Sequence, residues 1–395
     1  MTPAARTQAA IELLDAIIGA AQSGGAAADT LIARYFAERR YAGSKDRRAV
    51  RERVYAAIRA AGDVPASGRA AMVALADGDA ELAATFDGSR HGPAPIAADE
   101  ARAAGGVAPA WLEAALLASE IERAALPALV ERAPLDVRVN RLKATRDDVL
   151  PAFSDAAPTP FAEHGLRLPT GSAVEASTPF AEGAIEVQDE GSQLVGSELQ
   201  AVPGERIVDL CAGAGGKTLA LAAAMNNAGA LLACDVDRAR LQRLPQRAAR
   251  AGVTIAETRL MNPARETEAL ADWLGLADGV LVDAPCSGTG TWRRNPEARW
   301  RLTAERLARL QATQAHVLDV AAALVRPGGR IVYIVCSLLD EEGTDQVAAF
   351  LARHDGWRAE EPSLPAGRRH GQGWRLDPAA DGTDGFFVAR LRAPC

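Results

Sequence analysis

Two cysteines follow apolar runs that have the length and composition of buried β-strands. Cys286 comes shortly after residues 279–283, and Cys336 ends the run from Arg330 to Val335. Taken singly, a cysteine at a strand end is more often a small buried hydrophobic residue than a nucleophile. A thiol becomes a strong nucleophile only when it is ionised, which requires a neighbouring base or carboxylate. Two cysteines in matching positions therefore favour a pair that takes part in covalent chemistry.

A glycine-rich stretch from Arg206 to Thr218 reads RIVDLCAGAGGKT, which predicts a strand, a tight turn and the start of a helix. Glycine lets a ligand approach the backbone, and the free N–H groups of a helix start bind polar ligand atoms. A nucleotide-like cofactor is the first hypothesis. A phosphate-binding P-loop would need G-x-x-x-x-G-K-[ST], but its first glycine would fall at Cys211. A P-loop nucleoside triphosphatase is therefore disfavoured.

A second apolar run, residues 230–234, ends in Asp235. An acidic side chain at the tip of the second strand of a βαβ unit is placed to accept hydrogen bonds from ribose hydroxyls. The spacing fits nucleoside cofactors in general and does not separate a dinucleotide from S-adenosylmethionine. An ordinary βαβ unit with a solvated Asp235 remains the alternative.

The elements that position these residues alternate between strand and helix from about residue 190 onward. Such alternation predicts a mostly parallel, doubly wound α/β sheet, in which ligands lie at the carboxyl ends of the strands. The predicted strands are 206–210, 230–235, 254–260, 279–283, 330–335 and 385–391. The residues directly after them are 211–217, Asp235, Asn262, 283–287, Cys336 and Ser337.

A thiol beside a methyl donor suggests one particular reaction. Carbon 5 of a pyrimidine is too weak a nucleophile to displace the methyl group of S-adenosylmethionine. Thiolate attack at carbon 6 raises the electron density at carbon 5 and so divides one difficult step into easier ones. Asp283, three residues before Cys286, is well placed to hydrogen-bond the base and stabilise protonation of its ring nitrogen.

The first half of the chain has a different character. Residues 1–125 are alanine-rich, and their apolar residues have the spacing of helices. The stretch from Arg34 to Arg59 contains nine basic residues and only three acidic ones. This stretch is either a solvated helix face or a phosphate-binding surface. Residues 126–190 contain short strand-like pieces and predict a small α+β module. The basic residues expected to meet nucleic acid are Arg47, Arg48, Arg51, Arg138, Arg141, Lys143, Arg293 and Arg294, with Arg299 and Arg301 as further candidates beside flanking phosphates.

Composition narrows the class of protein. The chain has 395 residues, a net charge of −7 and 48% hydrophobic residues, which allows two or three domains with their own cores. Its five cysteines are an odd number without C-x-x-C spacing, so neither a disulfide framework nor a metal site is expected. The cysteine pattern favours reduced thiols in the cytoplasm. The longest uncharged run falls short of a membrane span, so no membrane partner is expected. We also expect a monomer.

Four motifs, taken together, resemble the RsmB/Nop/Sun family of RNA cytosine-5 methyltransferases. They are residues 209–218, the Asp-Ala-Pro-Cys-Ser-Gly-Thr-Gly run 283–290, the Tyr-Ile-Val-Cys-Ser-Leu run 333–338, and the Asp-Gly-Phe-Phe-Val-Ala run 384–389. Residues 187–192, 138–143 and 295–300 are similar too, so the resemblance covers about 130–392. The helical N-terminus is similar to the NusB-like domain of ribosomal members, which is the least specific match.

The resemblance implies roles for particular residues. It makes Cys336 the nucleophile and Cys286 the residue that assists product release, and it makes residues 126–190 an RNA-binding module. It implies that S-adenosylmethionine binds to Cys211, Ala212, Gly213, Ala214, Gly215, Gly216, Lys217, Asp235, Asn262 and Asp283.

The chain departs from the family pattern at three positions. The loop has Gly213-Ala214 where Ala-Pro is usual, Asn262 replaces an Asp, and Val335 replaces the Thr before the nucleophile. We expect the change at Asn262 to alter cofactor affinity, and Val335 removes one hydroxyl group near the thiol. We predict a helical domain over 1–125, an RNA-binding module over 126–190, and a seven-stranded Rossmann-like methyltransferase domain over 191–395.

The predicted substrate is RNA, with small-subunit ribosomal RNA favoured and transfer RNA still open. A non-catalytic RNA-binding assembly factor is the competing hypothesis from another class, although the presence of both cysteines argues against it.

Overall fold

The computed structural model describes all 395 residues and divides into two compact units. The first, called here the helical unit, comprises residues 1–132 together with 291–303. The second, called the sheet unit, comprises residues 133–290 and 304–395. No helix combines the length and the apolar character that crossing a bilayer requires.

The helical unit is built around the long helix α1. Its first turn is capped by Thr2, whose hydroxyl accepts a hydrogen bond from the N–H of Ala5, and it ends at Gly24 in the left-handed region with φ 72°. Leu14 and Ile17 of α1 belong to the same buried apolar cluster as Val54. The helices are α1 (Pro3–Ser23), α2 (Ala28–Glu38), α3 (Ser44–Ala60), α4 (Gly68–Ala76), α5 (Ala80–Ala83) and α6 (Ala110–Ala118), with 3₁₀ turns at Arg123–Leu129 and Pro296–Arg301.

The inserted segment 291–303 caps two of these helices. Arg299 is completely buried and donates hydrogen bonds to the carbonyl oxygens of Ile58, at 2.6 Å, and Ala61, at 2.8 Å, at the end of α3. Arg301 donates to the carbonyl oxygens of Gly25 and Ala26 after α1. The last carbonyls of a helix lack partners in the helix, and a cation complements the negative end of its dipole. The expectation that Arg299 holds an RNA phosphate is therefore wrong, because its guanidinium is buried against backbone.

The sheet unit begins with a small antiparallel sheet, ordered β2-β3-β1-β4. Alternating residues of its strands, Val137, Leu166 and Ile185 among them, form one apolar cluster. The elements are β1 (Leu135–Val139), α7 (Arg146–Val149), β2 (Ala157–Pro158), β3 (Gly165–Leu168), α8 (Thr178–Ala181) and β4 (Ile185–Val187), with 3₁₀ turns at Leu150–Ala152 and Val174–Ala176.

A nine-stranded sheet forms the rest of this unit. Its order is β11-β12-β13-β9-β8-β5-β6-β7, with β10 paired to β13. The five neighbouring strands β9, β8, β5, β6 and β7 run parallel to one another, and β13 lies antiparallel to β9. The strands are β5 (Arg206–Asp209), β6 (Ala230–Asp235), β7 (Ala256–Leu260), β8 (Ala277–Asp283), β9 (Val325–Val335), β10 (Arg358–Glu360), β11 (Arg368–His370), β12 (Gly373–Leu376) and β13 (Phe386–Arg392).

Helices and turns connect the strands of the large sheet. The longest, α14, precedes β9 in the chain and belongs to the same apolar core as β8 and β9, to which it contributes Leu318 and Leu324. The helices are α9 (Glu190–Ser197), α10 (Gly216–Ala224), α11 (Arg238–Leu241), α12 (Leu244–Ala251), α13 (Glu266–Ala269), α14 (Ala304–Leu324), α15 (Thr344–Arg353) and α16 (Pro378–Asp381), with 3₁₀ turns at Ala271–Trp273, Thr289–Thr291 and Asp340–Glu342.

The predicted α/β class and the parallel doubly wound sheet are confirmed, and all six predicted strands are present. The sheet nevertheless has nine strands where seven were predicted. The additional strands are β10, which pairs with β13, and the hairpin of β11 and β12 at the edge of the sheet, where β12 pairs with β13. They are only three or four residues long, too short for a periodic signal.

We expect the substitution Arg299→Met to lower the free energy of unfolding of the helical unit by about 3 kcal/mol, because it removes a charged donor from several buried carbonyl oxygens. Hydrogen exchange of α3 peptides, measured by mass spectrometry under native conditions, checks this. The matched control is Arg34→Met, which changes an exposed arginine of α2. Equal protection of α3 in the two variants would contradict the capping role.

Candidate active site

The glycine loop lies between β5 and α10. Ile207 and Val208 are buried where β5 pairs in parallel with β6 and β8. The strand ends at Asp209, and the glycine loop follows it. Gly213 and Gly215 have φ values of 55° and 90°, a region that L residues rarely adopt. A Cβ at Gly215 would also lie 2.6 Å from the side chain of Leu244. The loop therefore needs glycine at position 215 for both conformation and space.

Asp235, at the end of β6, holds this loop in place. One oxygen of its carboxylate accepts a hydrogen bond of 2.7 Å from the N–H of Gly213, and the other accepts one of 2.7 Å from the N–H of Asp237. Asp235 is buried, and it lies in the wall of a cavity. Each carboxylate oxygen retains acceptor capacity for a hydroxyl group.

Lys217 and Asp283 form an ion pair with an Nζ–Oδ2 distance of 2.7 Å. Burial disfavours the charge on the amine, but the adjacent Asp283 carboxylate outweighs it and raises the pKa of Lys217 above its ordinary value. Lys217 therefore stays protonated at neutral pH. It fixes one oxygen of Asp283 at the end of β8.

A second buried carboxylate, Asp209, lies at the end of β5. Its Oδ2 accepts a hydrogen bond of 2.6 Å from the hydroxyl of Thr218, and its Oδ1 has no partner. Burial raises its pKa to about 7, and the charges of Asp283 and Asp235 add to this. Sequence reasoning used Asp209 only as a motif boundary; its position directly after a buried strand was the available signal.

The two cysteines meet at the ends of neighbouring parallel strands. The Sγ atoms of Cys286 and Cys336 are 3.3 Å apart. The pKa of Cys286 is raised well above its usual range, chiefly by its hydrogen bond with Cys336 and also because it is buried. Cys286 therefore keeps its proton at neutral pH.

One cavity of about 700 Å³ connects the cysteines to the glycine loop. Its polar lining includes Asp235 and Asp283. Apolar side chains, among them Val236 and Met261, line the part beside Asp235. The predicted site residues that contribute to its wall are Cys211, Asp235, Asp283, Cys286 and Cys336.

The other predicted cofactor residues lie elsewhere around this cavity. Ala212, Gly213, Ala214, Gly215, Gly216 and Lys217 form the loop and the first turn of α10 without lining the cavity. Asn262 is exposed, and its neighbours Met261 and Pro263 line the cavity in its place. The wall formed by α14, which includes Leu310, Thr313 and His316, was not anticipated because a regular helix carries no motif that marks a ligand-facing side.

The predicted RNA-binding residues of the sheet unit differ in exposure. Arg138 is buried and donates to the carbonyl oxygen of Gly216, so it supports the start of α10. Arg141 and Lys143 are both exposed, and Lys143 donates hydrogen bonds to the carbonyl oxygens of Glu182 and Arg250.

Those of the helical unit also fall into two groups. Arg47, Arg48 and Arg51 are exposed on α3, where Arg51 pairs with Asp29 at 2.7 Å. Arg293 is buried and Arg294 is half-buried.

Comparison with known proteins identifies this arrangement. Residues 197–392 match the family described as 16S rRNA methyltransferase RsmB/F. Ribosomal RNA small subunit methyltransferase B of Salmonella typhi is 37% identical over 269 residues, which cover 66% of this chain and 60% of that protein. The protein of the same name from Pseudomonas syringae pv. tomato is 36% identical over 299 residues, 72% of this chain and 65% of that protein. The chain belongs to the RsmB/F family of RNA methyltransferases.

A solved structure agrees with this family assignment. The crystal structure of a methyltransferase homolog protein from Pyrococcus horikoshii superimposes with a TM-score of 0.60 at 26% identity, covering 72% of this chain and 99% of that one. The predicted family is confirmed, and residues 197–392 form the RsmB/F domain. The chain spans less than two thirds of the length of the two ribosomal RNA methyltransferases.

We expect Asp209 to govern how the free energy of unfolding of the RsmB/F domain changes with pH. Its carboxyl titrates near 4 in an unfolded chain and near 7 in the fold. Between these values the folded state binds more protons, so the free energy of unfolding falls as pH rises from about 4 to about 7. We expect Asp209→Asn to remove this fall, giving the variant an advantage that grows by up to about 4 kcal/mol across the window.

Urea unfolding of the variant and the parent chain at several pH values measures this difference. Asp155→Asn, at an exposed aspartate of the same unit, is the control and should follow the parent profile. A constant difference between Asp209→Asn and the parent from pH 4 to pH 8 would contradict a raised pKa at Asp209.

Proposed function

We propose that this RsmB/F protein methylates carbon 5 of a cytosine in RNA through a covalent bond between Cys336 and carbon 6 of the base. The observation that carries the proposal is the 3.3 Å separation of the Cys286 and Cys336 sulfurs in a cavity that also contains Asp235 and Asp283. The reaction needs a nucleophilic thiol, a proton donor for it and a carboxylate for the base, and this cavity combines all three.

The part of the cavity beside the glycine loop fits a nucleoside cofactor. Asp235 offers carboxylate oxygens there, and Val236, Met261 and Pro263 offer apolar surface of the kind that an adenine ring needs. S-adenosylmethionine supplies an electrophilic methyl group when bound. We assign Cys211 and Asp235 to contact with it, and the rest of the glycine loop, residues 212–217, to holding these two residues in place.

Cys336 carries the covalent chemistry. Its thiolate adds to carbon 6, a sulfur–carbon bond forms, and the π electrons of the carbon 5–carbon 6 bond move to carbon 5, which then accepts the methyl group. When a base removes the carbon 5 proton, the sulfur–carbon bond breaks and its electron pair returns to Cys336. The Cys286 sulfur lies 3.3 Å from that of Cys336 and keeps its proton, so Cys286 can donate a hydrogen bond that stabilises the departing thiolate.

Asp283 is the residue we assign to the pyrimidine ring. One oxygen is bound by Lys217 and the carboxylate lies in the cavity wall, so its other oxygen can accept a hydrogen bond from a protonated ring nitrogen. A proton on that nitrogen draws electron density from carbon 6 and favours thiolate attack. Lys217 holds one oxygen of Asp283 and so orients its carboxylate.

The substrate class that we favour is small-subunit ribosomal RNA. Both relatives described above carry that function in their names. A target base has to leave its stack to reach the Cys336 sulfur, which costs a few kcal/mol and least in an unpaired segment. The exposed Arg47, Arg48 and Arg141 are the cations that we assign to flanking phosphates.

We expect Cys286→Ala to accumulate a covalent complex with RNA in the presence of S-adenosylmethionine, because Cys336 still attacks but is released slowly. Denaturing gel electrophoresis with labelled ribosomal RNA detects the complex. Cys336→Ala and the double variant should form none and should lose methyl transfer by at least about a thousandfold. A complex that forms equally well without Cys336, or only salt-sensitive association in every variant, would point to a non-catalytic RNA-binding factor.

The target is tested by bisulfite sequencing of RNA from cells with and without the gene. We expect one or a few small-subunit ribosomal cytosines to lose methylation in the deletion strain, and complementation with the Cys336→Ala chain to leave them unmethylated. Loss confined to transfer RNA would overturn the substrate assignment while leaving the chemistry in place.

A further inference from the structure

The loop that carries Cys286 is held by a buried carboxylate that the proposed reaction does not use. Glu342 belongs to the 3₁₀ turn Asp340–Glu342 and has no exposed surface. Its Oε1 accepts hydrogen bonds from the N–H of Ser287, at 2.8 Å, and from the side-chain amide of Gln314, at 2.9 Å. Its Oε2 accepts one from the hydroxyl of Ser287.

These contacts hold the chain on both sides of Cys286. Ser287 follows Cys286 directly, and the Gln314 amide that binds Glu342 also donates to the carbonyl oxygen of Pro285, at 2.9 Å. Gln314 and Glu342 thus form a clamp around one thiol.

The same clamp reaches the strand end that carries the other thiol. The hydroxyl of Ser337, the residue after Cys336, lies 3.1 Å from the hydroxyl of Ser287. The N–H of Gly290 donates to the carbonyl oxygen of Cys336 at 3.0 Å. The separation of the two sulfurs is therefore set by side chains of the clamp in addition to the β8–β9 pairing.

Glu342 is ionisable, yet all the groups that donate hydrogen bonds to it are neutral. They are the side chains of Ser287 and Gln314 and the N–H of Ser287, and Glu342 forms no ion pair. A buried charge without a counter-ion costs free energy, so its presence at this point calls for a compensating role. The titratable groups that face Cys286 are Cys336, Tyr333 and Glu342. After the hydrogen bond to Cys336 and burial, the negative charge of Glu342 contributes to the raised pKa of Cys286.

We propose that Glu342 is a positioning residue that holds Cys286 against Cys336 and keeps the Cys286 sulfur in its protonated, hydrogen-bond-donating form. The inference rests on the proposed function for its purpose, since a thiol that keeps its proton can stabilise the departing Cys336 thiolate without competing for the base. Glu342, which does not line the cavity, would then determine which of the two sulfurs attacks the base and which keeps its proton.

Alkylation of Cys286 tests the charge effect without RNA. The full-length chain carrying Cys336→Ser isolates Cys286, and Glu342→Gln or Glu341→Gln is added to it. Glu341 is the exposed neighbour in the same turn and serves as the matched control. We expect iodoacetamide to label Cys286 about tenfold faster at neutral pH in the Glu342→Gln chain, because removal of the charge lowers the thiol pKa, and to show no change in the Glu341→Gln chain. Equal rates in the two chains would overturn the role of Glu342.

Trapping of RNA tests the positioning effect in chains that keep both cysteines. We expect Glu342→Gln to accumulate the covalent RNA complex as Cys286→Ala does, whereas Glu341→Gln should release product normally. Gln314→Met keeps the negative charge of Glu342 but removes the Gln314 amide that donates hydrogen bonds in the clamp. This variant should therefore accumulate the covalent RNA complex, while the alkylation rate of Cys286 stays unchanged. Normal release by Gln314→Met would overturn the clamp even if Glu342→Gln fails to fold.

The two tests separate this inference from the proposed function. If Cys286→Ala traps no RNA at all, the proposed reaction fails, while the alkylation comparison still decides whether Glu342 controls the protonation of Cys286.

Discussion

The site depends on the parallel pairing of β8 with β9. In this register Asp283 lies opposite Ile334, so both strands end at the same edge and their following residues meet. The pairing is anchored by completely buried Val280, Val282 and Ile331, each of which stabilises the fold by about 2 kcal/mol through burial. A shift of one residue along either strand would move every side chain to the opposite face and separate the two sulfurs.

Charged groups concentrate at this edge and oppose stability. Asp209, Lys217, Asp283 and Glu342 are buried or half-buried within a sheet that is otherwise apolar. Lys217 and Asp283 compensate each other, whereas the Asp209 Oδ1 atom has no partner and Glu342 has only neutral ones. The apolar core around β8 and β9 makes such an arrangement tolerable, and polar groups that lower stability are expected where chemistry is done.

The segment 291–303 belongs to the helical unit although the residues on either side of it in sequence belong to the sheet unit. It follows the Cys286 loop in sequence, yet Trp300 belongs to the apolar cluster of the helical unit and Arg299 caps α3. The arginines of this segment were predicted to be RNA ligands because they are numerous and follow the Cys286 loop in sequence. Arg299 and Arg301 donate instead to backbone carbonyl oxygens at the ends of α3 and α1. Only a structure could reveal this, because these partners lie more than two hundred residues away in sequence.

Local sequence patterns were sufficient to predict the strand, loop and helix of residues 206–224, Asp235 at the tip of β6 and both cysteines near strand ends. The signals for these features are strand periodicity, glycine residues and an acidic residue after a strand, and a short stretch of neighbouring residues contains them. They gave the class of sheet and the edge at which the site lies. Tertiary structure alone decided the 3.3 Å approach of Cys286 to Cys336, the unpaired Asp209 oxygen, and the clamp of Glu342 with Gln314. The physical reason is that distances and burial between residues far apart in the chain depend on strand register and side-chain packing, which no short stretch of sequence contains.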